Sequence, residues 1–291
     1  RGGEKAQHTR QYVSILSRPA TPPWALRPIF EMGYKGGIMK KPRHFWGFCF
    51  LFCFLFFSLS GTSWPADAVD HSLYADLLNK YVKDKVVNYR GFKNEEKRLD
   101  EYLKVLEGTD TGKLSRNEQL AFYINAYNAT TIKFILSAYP GVKSIRDLGG
   151  RIFDRAFSKK IVRIEGKTIS LDDLEHGIIR PRFKEPRVHF AVNCASKSCP
   201  PLIPEPYQAS ILDQQLDDST RAFLNDAERN RLEGKRLYVS KIFKWFAEDF
   251  NDDVVGFFLR FADAEIKEKL AVDKDKIKVK YLDYDWSLNG T

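Results

Sequence analysis

The stretch Asn117–Tyr139 constrains the fold more than any other part of this sequence. Its apolar positions, among them Leu120, Phe122, Ile124, Ile132, Phe134 and Ile135, wrap most of a helical circumference instead of forming one stripe. A helix that is apolar all round has to be enclosed by other elements. Residues 69–291 supply the enclosing chain, with no Gly/Ser or Pro-rich linker, internal repeat or low-complexity run. Pro140-Gly141 stops the helix. With 43% hydrophobic and 29% charged residues the chain is neither a disordered tail nor a small disulfide scaffold, and its core needs no metal or disulfide staple.

Shorter patterns fill in the surroundings. The spacing predicts helices over His71–Val82 and Asn94–Leu106, with a short strand at Lys85–Tyr89 between them. Lys160–Ile164 and Lys167–Ile169 flank Glu165-Gly166, a hairpin signal. Ser170-Leu171-Asp172-Asp173 reads as a capping box opening a helix through Ile179, ended by Pro181. Arg187–Asn193 reads as a buried strand, Cys194–Pro206 as a Pro-bounded loop and Tyr207–Asp226 as a helix. A strand at Arg236–Val239, an aromatic helix from Ser240 to Phe250, a helix at Asp253–Phe261 and a last strand at Lys276–Tyr281 complete the order. Helices and short strands mix without regular alternation, so the expectation is one α+β domain over 69–291, its central buried helix packed on a small mixed sheet.

The charge is uneven. The formal total is +9, but residues 1–68 carry nine Lys/Arg against three Asp/Glu, leaving only +3 for the rest. A nucleic-acid partner therefore loses its electrostatic footing. Within the basic part, Lys40, Lys41 and Arg43 precede the apolar run Phe45–Leu59, and Ala66-Asp67-Ala68 follows. That is the tripartite pattern of a cleaved export signal. The run breaks at Ser60 and Gly61, too early for a spanning helix. The expectation is a signal peptide over 39–68 starting at Met39, a periplasmic or secreted product with no stable membrane span after cleavage, and an upstream, disordered leftover at 1–38.

Chemistry-bearing residues cluster in three places. Asn125 and Asn128 sit on one face of the buried helix, where their amides must find partners: they brace neighbouring loops or orient a catalytic group. Glu175 lies at the edge of an apolar stripe, and His176 and Arg180 share a face with Asp172: an ion network or a catalytic pair. The third is His189-Phe190-Ala191-Val192-Asn193-Cys194-Ala195-Ser196-Lys197-Ser198-Cys199. Read as a strand, it places His189, Ala191 and Asn193 on one face and delivers Cys194 into the loop. Cys194 and Cys199 are the only cysteines after the leader. They form a disulfide, as suits an oxidising compartment, or leave Cys194 a thiolate paired with His189 or His176. A metal site from His176, His189, Cys194 and Cys199 has loose spacing for zinc; no metal and no cofactor is expected.

On these residues the chain resembles the bacterial branch of the domain of unknown function 547 family. The matching stretches are Asn117–Asn128, Leu174-Glu175-His176 to Arg180, His189–Cys194 to Ser198-Cys199-Pro200, and Tyr284–Asn289. The resemblance runs from about residue 71 to 289 and implies an envelope or secreted protein, with no activity attached. Since plant members with similar motifs carry Ser at the place of Cys199, it leaves Asn125, Asn128, Glu175 and His176 as the better candidates for a common site.

Two functions follow as expectations. One is a Cys/His-dependent hydrolase or acyl transferase acting on a small molecule or peptide-like substrate. Its catalytic residues come from His176, Glu175, Cys194, His189, Asn125 and Asn128, and its binding residues are Arg180, Ser198 and Cys199. Here both histidines precede the cysteine, the reverse of papain-type and transglutaminase-like enzymes, although such sites are recognised by geometry and not by order. The alternative is a non-catalytic envelope binding module with a disulfide-stapled Cys194–Cys199 loop.

Overall fold

The computed structural model describes residues 69–150 and 155–291. The expected upstream leftover at 1–38 and signal peptide at 39–68 lie outside the described residues. Helix α1 (Ser72–Tyr81) runs into strand β1 (Val82–Lys83), which pairs antiparallel with β2 (Val86–Val87). The turn uses Asp84 and Lys85, both at positive φ. Lys85 is thus a turn residue, and Asn88 caps helix α2 (Tyr89–Asn94) by accepting from the Gly91 amide. Those two roles shorten the strand expected over Lys85–Tyr89 to two residues. Helix α3 (Glu96–Glu107) ends at Gly108.

Helix α4 (Arg116–Leu136) is the expected central element. The Ser115 hydroxyl accepts from the Glu118 amide, and the Glu118 carboxylate accepts from the Ser115 amide, a full capping box. Every residue from Gln119 to Ile132 is buried. The enclosure comes from α2, α3, strand β3 (Lys160–Ile164) and the segment 173–179. β3 pairs antiparallel with β4 (Lys167–Ser170) around Glu165-Gly166, both at positive φ, as the hairpin signal predicts.

The next element departs from the expected α-helix. Asp173–Ile179 is a π-helix, entered through reciprocal bonds between Ser170 and Asp173. π-turns are rare and concentrate at functional sites. Pro181 does not end the helical path. It occupies the first turn of helix α5 (Arg180–Phe183), where a missing N–H costs nothing, and the chain breaks instead at Lys184 in a left-handed conformation.

The expected strand Arg187–Asn193 is also corrected. Pro186–Phe190 is a 3₁₀ turn capped by Glu185, and Val188 to Asn193 are buried without alternation, so His189, Ala191 and Asn193 share no strand face. A short uninterrupted buried run looks the same to periodicity whether extended or coiled. The Pro-bounded loop then reaches helix α6 (Leu212–Leu224), preceded by a 3₁₀ turn at Ala209–Ile211.

Strands β5 (Arg231–Glu233) and β6 (Arg236–Val239) form a hairpin. Helix α7 (Ile242–Trp245) and a 3₁₀ turn (Ala247–Phe250) replace the single helix expected through Phe250. Helix α8 (Val254–Phe261) follows, then α9 (Ala264–Val272), which the sequence reading passes over, and β7 (Lys278–Tyr281) joins β6 in parallel. The α+β class holds: mostly helical, with small sheets. The mixed sheet β5–β6–β7, however, belongs to a second apolar cluster built on Phe190, Phe223, Phe243 and Phe258, while α4 and the β3–β4 hairpin belong to the first.

Candidate functional site

The two asparagines of α4 act as clips. Asn125 donates to the Tyr207 carbonyl at 2.8 Å and accepts from the Tyr207 amide at 2.9 Å. Asn128 donates to the Ala191 carbonyl at 2.9 Å and accepts from the Asn193 amide at 2.8 Å. Each side-chain amide thus mimics a strand partner for a loop that has no strand beside it, satisfying buried backbone groups. Neither lines the pocket described below. Asn128 holds the two ends of the segment Ala191–Asn193, one residue before Cys194.

The loop after Asn193 is fixed from several sides. The Asn193 side chain donates to the Pro200 carbonyl at 2.7 Å and accepts from the Ala195 amide at 2.9 Å. Ala195 sits at a φ of +62°, a strained value for a residue with a Cβ. Residues 285–289 lie along the same loop: Lys197 and Ser198 donate to the Ser287 and Asp285 carbonyls, and Asn289 donates to the Ala195 carbonyl. The Ser198 hydroxyl accepts from the Asp285 amide at 2.8 Å, so this expected binding residue is engaged in holding the tail.

These constraints deliver Cys194 to a pocket of about 180 Å³, together with Glu175, His176, His189 and Cys199. Five of the nine residues singled out from the sequence therefore meet at one place. Both cysteines are free thiols, and the Cys194 amide donates to the Cys199 sulfur at 2.9 Å. The Cys194 Sγ lies 3.1 Å from the Ser196 hydroxyl and 3.4 Å from the Tyr284 hydroxyl. Burial pushes the Cys194 thiol up, but hydrogen bonds from Cys199, Ser196 and Tyr284 outweigh it and hold the group at about 7. Burial, with Cys194 beside it, pushes the Cys199 thiol well above its ordinary value. Of the two, Cys194 is the one that ionises near neutrality, and the thiolate is the reactive form.

Glu175 projects from the π-helix and is buried. Burial first, and the charge of Cys194 second, push its carboxyl up to about 7, against a hydrogen bond to Tyr127 and the more distant Arg180. Two groups that both become anions near neutrality thus face one low-dielectric space, where each discourages the other's ionisation.

His189 is held by Asp249 through Nε2 at 2.6 Å and stacks on Phe246 with centroids 4.0 Å apart. A carboxylate only accepts, so Nε2 carries the proton and Nδ1 is left as an acceptor. That Nδ1 is 3.8 Å from Glu175 Oε1, too far for a direct bond. Burial lowers the His189 pKa in spite of Asp249, so the ring is neutral at pH 7. Burial opposes ionisation of Asp249, yet His189 and Arg180 hold its carboxyl well below the usual range.

His176 is exposed at the mouth of the pocket and bonds Arg180 through Nδ1 at 3.0 Å. Burial of its ring and then the guanidinium lower its pKa. Arg180 itself is committed to Asp249 and Glu248, so it braces the site and is not a free binding cation. The expected ladder is half formed, since Asp172 accepts instead from the Ser158 hydroxyl at 2.6 Å.

Sequence reasoning missed Asp249, Tyr127, Tyr284 and the aromatic walls Trp245, Phe246 and Trp286. Asp249 lies 60 residues from His189, and no spacing rule connects them. The aromatic tail Tyr284-Asp285-Trp286 was visible as a motif, but nothing in it pointed to a thiol. Among the described residues no group of three or more His, Cys, Asp or Glu is placed to hold a metal ion, and no helix is long and apolar enough to cross a membrane.

Fold and site together define an α+β domain whose pocket holds a low-pKa thiol, a protonatable carboxyl and a carboxylate-anchored imidazole. Residues 111–224 match the family model described as "Protein of unknown function, DUF547", and this stretch is a DUF547 family domain. It carries Tyr127, Glu175, His176, His189, Cys194 and Cys199, whereas Asp249, Tyr284 and the three wall residues lie beyond it. Comparisons with curated proteins and with solved structures gave no match.

Proposed function

We propose that the pocket is a thiol active site catalysing acyl transfer or hydrolysis on a small-molecule or peptide-like ester or thioester. The observation that carries this reading is that Cys194, held at about 7, and Glu175, pushed up to about 7, line one pocket. Groups poised near the working pH are suited to nucleophilic and general acid–base roles. The Cys194 thiolate adds to the carbonyl carbon; the bond to the leaving group breaks, and the leaving group takes the proton of Glu175. The Glu175 carboxylate then removes a proton from water or an acceptor nucleophile, which attacks the acyl-thioester. Cys194 departs as thiolate and Glu175 holds the proton again. Neutral His189, fixed by Asp249, is held with its Nδ1 3.8 Å from the Glu175 carboxyl and adds no positive charge that would favour the carboxylate. His176 guards the mouth. Asn125 and Asn128 position loops and touch no reacting atom.

The test is to incubate the reduced protein with S-phenyl thioacetate and follow thiophenol release and intact mass. A single acetyl adduct on Cys194 is expected, both signals vanish in Cys194→Ala, and the adduct accumulates in Glu175→Gln. Release unchanged in Cys194→Ala, with no adduct, would overturn the reading.

A second reading rests on both cysteines lining the same pocket: closed into a Cys194–Cys199 disulfide in an oxidising compartment, they would make a stapled binding module. A free-thiol count on protein from its native compartment separates the two, two thiols favouring chemistry and none the staple. Export belongs to the proposal as well, resting on the Lys40–Ala68 pattern and placing the chain in the secreted, bacterial branch of its family. N-terminal sequencing of envelope-fraction protein should begin near Val69; a product retaining Phe45–Leu59 would contradict it.

A further inference from the structure

We propose that the pocket beside Cys194 takes an uncharged apolar group about the size of one ring, so that the substrate's acyl side is an aryl or compact branched alkyl group. The inference rests on the acyl-transfer reading above and deepens it by naming the substrate class. It comes from the size, walls and charge of the pocket.

Size comes first. The space is about 180 Å³, and an apolar protein cavity of roughly 150 Å³ holds a benzene molecule. A longer acyl chain or a peptide side chain with its backbone would have to extend out of that space. The walls are flat and apolar: Phe157, Ile242, Trp245, Phe246 and Trp286 face the space. Three aromatic rings at the mouth support one another, with Trp245–Tyr284, Trp245–Trp286 and Tyr284–Trp286 centroids 4.8, 5.8 and 4.7 Å apart. They leave a face for another ring to stack on, and apolar walls give a fixed charge little solvation. Trp245, one of the walls, remains 46% exposed, so its ring is open to a ligand.

Charge then narrows the class. The described lining contains no Lys or Arg, and its titratable groups are Asp172, Glu175, His176, His189, the two cysteines, Tyr127 and Tyr284. Two guanidiniums stand over lining rings without lining the space themselves: Arg180, bound to Asp249 and Glu248, lies 5.0 Å from the Phe246 centroid, and Arg146 lies 5.2 Å from the Trp286 centroid. A carboxylate or phosphate entering this space would be desolvated beside two groups that become anions themselves, with no cation among the lining residues to meet it.

The experiment compares rates of Cys194 alkylation by chloroacetamide, N-phenylchloroacetamide, and its 4-carboxy and 4-trimethylammonio derivatives, each normalised to the rate with glutathione. The phenyl reagent is expected to react about tenfold faster or more than the parent, from burial of one ring, and both charged derivatives should lose most of that gain. Trp245→Ala and Phe246→Ala should flatten the preference. Equal normalised rates, or a preference for either charged reagent, would overturn the ring proposal while leaving the thiol reading intact. Failure of plain chloroacetamide to modify Cys194 would instead sink the thiol reading. In that case saturation transfer from Cys194→Ala protein to benzamide still decides the pocket: a signal lost in the Cys194→Ala/Trp245→Ala double variant upholds it, and no signal in Cys194→Ala overturns it.

Discussion

At the scale of single residues, the site depends on where protons sit. Tyr284 donates toward the Cys194 sulfur from outside the family-matched segment. A hydrogen bond to an ionised acceptor is stronger than one between neutral groups, so Tyr284→Phe should raise the midpoint of Cys194 alkylation by about one pH unit. A merely structural tyrosine would lower the melting temperature and leave the midpoint alone. Glu175 gives a second prediction, on stability. Its folded pKa is raised from 4.5 to about 7 by burial. Between those values the unfolded chain has released a proton that the native protein keeps, so stability is full below about pH 4.5 and falls as pH rises toward 7. Glu175→Gln removes that slope. In urea unfolding, the variant should gain on the wild type by on the order of 3 kcal/mol at pH 8 relative to pH 4.5; parallel changes in the two proteins would contradict the assignment. From sequence alone Glu175 was legible as a carboxyl at the edge of an apolar stripe. Asp249 was not, because the contact that matters joins two 3₁₀ turns 60 residues apart.

At the scale of elements, period and punctuation were legible and coil geometry was not. The all-round apolar pattern located α4, the Glu165-Gly166 pair located the hairpin, and Ser170 with Asp173 located the start of the next helix. What the pattern could not show was that this helix is wound as π, a difference in hydrogen-bond register that leaves composition unchanged. Nor could it show that Pro186–Phe190 coils instead of extending, because both forms give the uninterrupted buried run Val188–Asn193. Asn128 compensates for that missing strand by bonding Ala191 and Asn193. Asn128→Ala leaves two buried backbone groups without partners and should cost about 2–4 kcal/mol in chemical denaturation. Because the clip ends one residue before Cys194, the same variant should also slow Cys194 alkylation. Asn125→Ala, which frees Tyr207 instead, should show the stability loss with a smaller effect on the thiol. Equal effects of both variants on the thiol would mean that the clips do not act locally.

At the scale of the whole molecule, the pocket is assembled from chain segments far apart in sequence. Tyr127 and Val192 belong to the first apolar cluster and Ile242 to the second, so the site lies where the two cores adjoin. The residues from Tyr284 onward tie this region to the other end of the domain: Asn289 accepts from the Val87 amide and from the Tyr89 hydroxyl, and its side chain donates to Asn193. Gly290 passes so close to Val87 that a Cβ would meet its carbonyl oxygen at 1.9 Å, a backbone atom that cannot move aside cheaply. Gly290→Ala should destabilise by about 2–3 kcal/mol and, by shifting the tail, loosen Tyr284 from the thiol. Thermal unfolding together with the alkylation midpoint checks both effects. Sequence reading suggested one domain with a central helix. It could not suggest that the tail completes the site, since that closure depends on backbone bonds between residues some ninety positions apart.

The most direct measurement of the central claim is the pH dependence of iodoacetamide alkylation of the reduced protein, with the modified residue identified by peptide mass mapping. If Cys194 is the activated thiol of a built site, it reacts first and alone, and its rate rises with a midpoint near pH 7 while Cys199 stays unmodified. A Cys194 midpoint at or above the ordinary thiol value of about 8.5, or modification of Cys199 ahead of Cys194, would contradict the account.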